Sequence, residues 1–286
     1  MGAEFRQREV QCITPSGLHR LAYNEWGDPG NRRVLVCVHG LSRCGRDFDT
    51  LARTMAGEYR VVCPDVPGRG LSGWLKNPME YQVQTYVADM VTLLARVDAE
   101  CVHWVGTSMG GMIGMALASL PDTPLQKLVL NDVGPIVAAT SLARIGEYLG
   151  KAPTFPDFAT AVQYIRAVSA TFGAHSDSEW ITLTEHVTRR QPDGSYRLHY
   201  DPAIAVPFSA APTDKDIELW VYYDAIRCPT LVIRGAQSDL LRRDTLAEMA
   251  GRGPRAKTVE IPDVGHAPTL MHADQIAIVR DFLLAA

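Results

Sequence analysis

Val105-Gly106-Thr107-Ser108-Met109-Gly110-Gly111 reads G-x-S-x-G. An apolar run, Cys101-Val102-His103-Trp104-Val105, precedes it, and a run of apolar and small residues, Met112-Ile113-Gly114-Met115-Ala116-Leu117-Ala118, follows it. The predicted order is strand, tight turn, helix, the setting in which this motif presents an exposed serine. A serine turned out so sharply has strained backbone angles, so the residues two positions to either side must lack a side chain. Gly106 and Gly110 meet that need. The helix opening at Met109 would aim its free N–H groups and its positive dipole end at the hydroxyl. Taken alone, the stretch is equally compatible with a small-residue turn that packs a helix on a sheet. The remainder of the chain decides between the two.

Composition narrows the classes. The 286 residues are 47% hydrophobic and 21% charged, which suits one elaborated α/β domain with a substantial core. With 28 basic and 32 acidic side chains the formal charge is −4, and no basic block stands out. Nucleic acid and anionic membrane are therefore poor partners. Six cysteines, Cys12, Cys37, Cys44, Cys63, Cys101 and Cys228, are scattered without C-x-x-C. They read as small hydrophobes in a reducing compartment, neither a disulfide frame nor a zinc site. Met1 to Gln11 is polar and no apolar run approaches membrane-spanning length, so a cytoplasmic protein is expected.

Outward from the serine, apolar runs alternate with helical patterns. Glu9 to Ile13 and His19 to Glu25, separated by Pro15-Ser16-Gly17, predict a hairpin of edge strands. Val34-Leu35-Val36-Cys37-Val38 predicts a strand buried on both faces. Phe48, Leu51, Ala52 and Met55 then fall at helical spacing, and Tyr59 to Cys63 is the next strand. Leu125 to Leu130 follows the serine's helix as a further strand, closed by Asn131-Asp132-Val133-Gly134-Pro135. From Ile136 to Pro212 the alternation gives way to a mainly helical, aromatic-rich stretch. Phe158, Val162, Ile165, Val168 and Phe172 form one stripe with Pro156 in its first turn, and Ser176 with Glu179 forms a capping box. Alternation resumes with Thr230 to Ile233, a helix near Arg243 to Met249, Thr258 to Ile261 and a closing helix from Ile276 to Leu284.

Gly68, Gly70 and Gly73 spell G-x-G-x-x-G after a strand. A dinucleotide site needs those glycines to open a helix, with an acid closing the next strand some 20 residues on. Here Pro67 and Pro78 bracket a polar loop, and Asp89 lies inside the helical pattern Tyr86-Met90-Leu93-Leu94. A Gly-rich loop beside an active site is the better reading, and no nicotinamide cofactor is expected.

Six ordered motifs together resemble the α/β-hydrolase superfamily. They are His39-Gly40, the Asp65…Gly68-Arg69-Gly70…Ser72 loop, the G-x-S-x-G turn, Asn131-Asp132-x-Gly134-Pro135, Arg234-Gly235…Ser238-Asp239, and Val264-Gly265-His266. The resemblance covers nearly the whole chain. It implies an α/β-hydrolase fold: a mostly parallel eight-stranded sheet flanked by helices, with a helical cap inserted after the sixth strand. Residues 1–135 and 213–286 would form the core and residues 136–212 a cap that serves as a lid.

A serine hydroxyl needs a base within hydrogen-bond reach and a carboxylate to orient that base. Of the eight histidines, His266 sits on a Gly-containing loop after a strand, Asp263-Val264-Gly265-His266-Ala267-Pro268. His103 lies inside a predicted strand, and His39 is expected to bond the backbone of its own loop. Asp239, just past a strand's C-terminal end, is the first candidate for the acid. Asp132, in the same position one strand earlier, is the alternative, and Asp263 reads as a turn residue. The expected catalytic set is therefore Ser108, His266 and Asp239. Backbone N–H groups of Met109 and Leu41 would stabilise an oxyanion.

Serine at the turn argues against relatives of haloalkane dehalogenases and epoxide hydrolases, which carry aspartate there. Carbon–carbon hydrolases of meta-cleavage products usually show Gly-x-Gly-Pro-Gly after the oxyanion His-Gly and Trp after the catalytic His. Here the residues are Leu41-Ser42-Arg43-Cys44-Gly45 and Ala267. The leading expectation is a serine hydrolase of carboxylic esters with a small-molecule acyl substrate and no metal or cofactor. Carbon–carbon, lactone, thioester and perhydrolase chemistries remain as alternatives, and a non-catalytic ligand receptor is the alternative from another class. Arg43 is expected to face solvent, with a substrate carboxylate as its other possible partner.

Overall fold

In the computed structural model, which describes residues 5–210 and 215–285, eight strands make one sheet. They are β1 (Phe5–Thr14), β2 (Gly17–Trp26), β3 (Arg33–Val38), β4 (Arg60–Pro64), β5 (Cys101–Thr107), β6 (Leu125–Asn131), β7 (Thr230–Gly235) and β8 (Lys257–Ile261). Their spatial order is β1-β2-β4-β3-β5-β6-β7-β8. The β1/β2 and β2/β4 pairs are antiparallel and all the others parallel. The predicted hairpin is there, but only β1 is an edge. β2 pairs with β4 on its other side because Tyr23 to Trp26 are themselves buried.

Side-chain alternation along the central strands divides the core in two. Val34, Val36 and Val38 of β3 point to one face, with Trp104 of β5 and Leu128 and Leu130 of β6. Leu35, Cys37, Val105 and Val129 point to the other. Helices α2 (Val83–Val97) and α3 (Met109–Ala118) cover the first face; α1 (Asp49–Met55) and a C-terminal helix (Ala273–Leu284) cover the second. Each fully buried Val or Leu contributes roughly 1.5–3 kcal/mol, which is why β3 reads as an unbroken apolar run from Val34 to Val38.

Between β6 and β7 stand α4 (Ala139–Gly146), α5 (Phe158–Val168), α6 (Asp177–Glu185) and α7 (Ala205–Ala210). A three-stranded sheet, Thr154–Phe155, Tyr196–Leu198 and Thr188–Arg190, joins them. Helix α6 has the expected capping box: Ser176 N–H donates to Glu179 (2.7 Å) and Glu179 N–H to Ser176 Oγ (3.3 Å). Helix α5 begins differently from its prediction. Asp157 is the N-cap, accepting from Thr160 N–H at 2.8 Å, so Pro156 precedes the cap instead of occupying the first turn. Ile136–Val137 pairs with Ile217–Glu218, closing the base of this region. The boundary expected between residues 212 and 213 lies outside the described residues. No helix among the described residues is long and apolar enough to cross a membrane.

Candidate active site

Ser108 joins β5 to α3 with φ 52° and ψ −115°, a conformation that a non-glycine residue holds only when its surroundings enforce it. They do so here. Its N–H donates to the Asn131 carbonyl (3.0 Å), and its own carbonyl accepts from Gly111 and Met112 N–H (2.9 and 3.0 Å). A methyl group at position 106 would collide with the Gly110 carbonyl, and one at 110 with the Val38 carbonyl. The two glycines are thus where β5, α3 and β3 come closest.

His266 Nε2 lies 2.9 Å from Ser108 Oγ, and its Nδ1 lies 2.7 Å from Asp132 Oδ2. A carboxylate only accepts, so Nδ1 carries the proton and Nε2 is left to accept from the serine hydroxyl. Thr171, from the region between α5 and α6, grips the histidine loop twice: its carbonyl accepts from Gly265 N–H (2.6 Å), and its hydroxyl donates to the His266 carbonyl (2.7 Å).

The expectation of Asp239 as the acid is corrected. Asp132, at the end of β6, has no exposed surface, and besides His266 it accepts from Gly235 N–H (2.8 Å) and Ser238 Oγ (2.7 Å). Asp239 turns the other way. Its carboxylate takes both Nε and Nη2 of Arg144 on α4, at 2.7 and 3.0 Å, with side chains 49% and 40% exposed. The reason is local: Ser238 points inward and its oxygen also accepts from Leu240 and Leu241 N–H, so its neighbour faces out. Asp263 is an exposed turn residue with φ 57°.

The Met109 N–H opens α3 and has no acceptor within its helix. The Leu41 N–H has no backbone acceptor among the described residues. Arg69, which the sequence reading did not single out, anchors the Leu41 loop. It is 1% exposed, and its Nε donates to the Leu41 carbonyl (2.8 Å) while Nη1 donates to the Pro67 carbonyl and Tyr86 hydroxyl (2.7 and 2.9 Å). His39 behaves as expected and goes further, donating from Nδ1 to the Gly40 carbonyl (2.7 Å) and accepting from Val66 N–H (2.9 Å). Burial holds it neutral, with its pKa lowered to about 4. Burial also raises Asp65 to about 6, against the pull of the Leu71 and Gly45 N–H groups it accepts from. The Gly68–Gly73 loop opens no helix, and Asp89 lies within α2, buried against His19 (3.0 Å), where the dinucleotide fingerprint would need a helix N-terminus and a strand-end acid.

Ser108 and His266 open on a cavity of about 120 Å³, well below the roughly 300–1,000 Å³ of typical small-molecule sites. Ile145, Tyr148, Tyr164, Ile165, Val168 and Phe172 supply its apolar lining, and Arg43 and Arg144 its charges. Arg43 does not face solvent as expected. Its side chain is 11% exposed, held by both oxygens of Asp47 (2.7 and 2.8 Å) and by the Leu183 carbonyl (3.1 Å). Breaking such a partly buried pair costs more than breaking an exposed one, up to the about 3–5 kcal/mol of a fully buried pair. The exposed Arg144–Asp239 pair is worth about 0–1 kcal/mol.

A model described as the alpha/beta hydrolase family matches residues 35–279. The 3-hydroxybutyrate-oligomer hydrolase of Cupriavidus necator is 52% identical over the full length of both chains. A pimeloyl-[acyl-carrier protein] methyl ester esterase of Xanthomonas campestris is 26% identical over 90% of this chain and 97% of its own. Among solved structures, an alpha/beta hydrolase from Novosphingobium aromaticivorans superposes with a TM-score of 0.87 at 34% identity, covering 98% of each chain.

Proposed function

The chain belongs to the alpha/beta hydrolase family and hydrolyses ester bonds, and from that premise we propose that it cleaves short oligomers of 3-hydroxybutyrate through an acyl-enzyme on Ser108. One observation carries the mechanism: the unbroken hydrogen-bond chain Ser108 Oγ, His266, Asp132 at the mouth of a narrow, mostly apolar cavity. The substrate class rests on the full-length similarity to the Cupriavidus necator hydrolase.

In this reading Ser108 Oγ attacks the ester carbonyl as its proton passes to His266 Nε2, and Asp132 steadies the imidazolium through Nδ1–H. The Leu41 and Met109 N–H groups receive the developing oxyanion, a contribution of about 2.7–4 kcal/mol per donor in other serine hydrolases. His266 then protonates the departing alkoxide. Water, deprotonated by the same nitrogen, hydrolyses the acyl-enzyme and restores the serine. Residues 1–135 and 213–286 act as the core that holds this set, and residues 136–212 as a lid that supplies the apolar lining. A reducing, cytoplasmic setting suits free thiols as deeply buried as Cys37 and Cys63.

The test is the hydrolysis of 3-hydroxybutyrate dimer and trimer, beside p-nitrophenyl butyrate, by the native chain and Ser108→Ala. The proposal requires turnover of all three by the native chain and its loss in the variant. Cleavage of the aryl ester with both oligomers left intact would overturn the substrate, and full activity without Ser108 would overturn the mechanism.

A further inference from the structure

The cavity that holds Ser108 and His266 is lined mainly by apolar and aromatic side chains, yet two guanidinium groups reach it, Arg43 and Arg144. Charge next to an apolar wall is unfavourable unless something answers it. Arg43 is answered within the protein by half-buried Asp47 and the Leu183 carbonyl, and withdrawing it would leave that carboxylate without its partner. Arg144 is placed differently. It stands on α4 beside Ile145 and Tyr148, which line the same cavity, and its partner Asp239 is half exposed and outside that lining. Water can replace Arg144 at Asp239 with little loss, since exposed pairs of this kind contribute little. Arg144 is therefore the one guanidinium of the pair free to change partners.

We infer that Arg144 recognises a free carboxylate on the substrate's leaving group, exchanging Asp239 for it. This rests on the proposed function, because a 3-hydroxybutyrate dimer carries such a carboxylate two carbons from its scissile ester oxygen. The planar guanidinium fork already holds one carboxylate through Nε and Nη2, so a second can take the same two donors. The exchange releases Asp239 to solvent and forms no covalent bond. It makes the enzyme selective for acids over their methyl esters, and it gives Asp239 the role of a competing carboxylate that keeps Arg144 occupied between turnovers.

The experiment is inhibition of p-nitrophenyl butyrate hydrolysis by 3-hydroxybutyrate and by methyl 3-hydroxybutyrate, in the native chain, Arg144→Gln and Asp239→Asn. The quantity read is the ratio of the two inhibition constants within each protein, which does not depend on how active a variant remains. The native chain should favour the acid. Arg144→Gln should shrink that preference by roughly 10- to 100-fold, the range of a charge-assisted hydrogen bond. Asp239→Asn should strengthen it by removing the competitor, a result that loss of a merely structural contact would not give. An unchanged ratio in Arg144→Gln, or an Asp239→Asn variant that loses preference for the acid, would overturn the assignment. If Arg144→Gln does not fold, the direction of the Asp239→Asn shift decides alone. Should the native chain leave the dimer uncut, the substrate proposal fails, and the inhibition ratios still report on Arg144.

Discussion

Asp132 and Asp239 stand at the C-terminal ends of neighbouring parallel strands, β6 and β7, and have opposite surroundings. Asp132 is sealed from water and accepts from a backbone N–H, a serine hydroxyl and His266. Asp239, 49% exposed, faces one arginine of the intervening region. Strand-end position narrows the choice of acid to two residues but cannot separate them. What separates them is the supply of buried donors: a carboxylate that orients a histidine must itself be fixed, and the donors that fix it, Gly235 N–H and Ser238 Oγ at the end of β7, are aimed at Asp132.

Breaking the comparison at Asp132 should give the largest effect. Asp132→Asn removes the acceptor that sets the His266 tautomer and should lower kcat on p-nitrophenyl butyrate by about 10³- to 10⁴-fold, the scale of such a change elsewhere. Asp239→Asn should leave it within about fivefold. Equal losses in steady-state assays would erase the distinction.

A smaller effect is expected one layer out, at Arg69. Arg69→Met removes the donors that hold the Leu41 carbonyl and should shift the Leu41 N–H from its place. The expected cost is about 10- to 100-fold in kcat with KM little changed, below the full loss of an oxyanion donor. A variant impaired chiefly in KM would show that Arg69 acts on binding.

Acid should weaken the fold. His39 and His103 are both pushed down to about 4 by burial. For each, the stabilisation is complete above the unfolded value near 6.5 and is lost as pH falls toward 4, since the unfolded chain binds the proton first. Asp65, raised to about 6, works in the opposite sense, because between about 6 and 3.8 the folded chain binds the proton more readily. His175, His186 and His199 are also lowered by burial, so the histidines outweigh Asp65, and urea midpoints should be lower at pH 4.5 than at pH 7. A flat or rising midpoint would contradict this balance. The smallest change expected is at the α5 cap, where Asp157→Ala should lower the urea midpoint slightly without touching kcat.

The two acids also mark how far the sequence was legible. The run Val34 to Val38 announced a buried parallel strand because both its faces are apolar, as are those of Leu128 to Leu130, and Gly106 and Gly110 announced a turn that admits no side chain. The Ser176–Glu179 box is local chemistry and was equally readable. Choices that depend on distant partners were not. Asp132 is selected by Ser238 and Gly235, more than a hundred residues on, and Arg43 is drawn inward by Asp47 and a carbonyl of α6. Arg69 was visible as part of a motif, but its grip on Leu41 needs the folded loop. Two-residue strands such as Ile136–Val137 have too few residues to show any alternation.

The most direct measurement is the rate at which a fluorophosphonate labels the intact protein, with the modified residue identified by mass spectrometry, in the native chain, Asp132→Asn and Asp239→Asn. Labelling of Ser108 alone, slowed by orders of magnitude in Asp132→Asn and nearly native in Asp239→Asn, is the predicted result. Label on another residue, or a slow reaction in Asp239→Asn with a fast one in Asp132→Asn, would contradict the Ser108–His266–Asp132 relay.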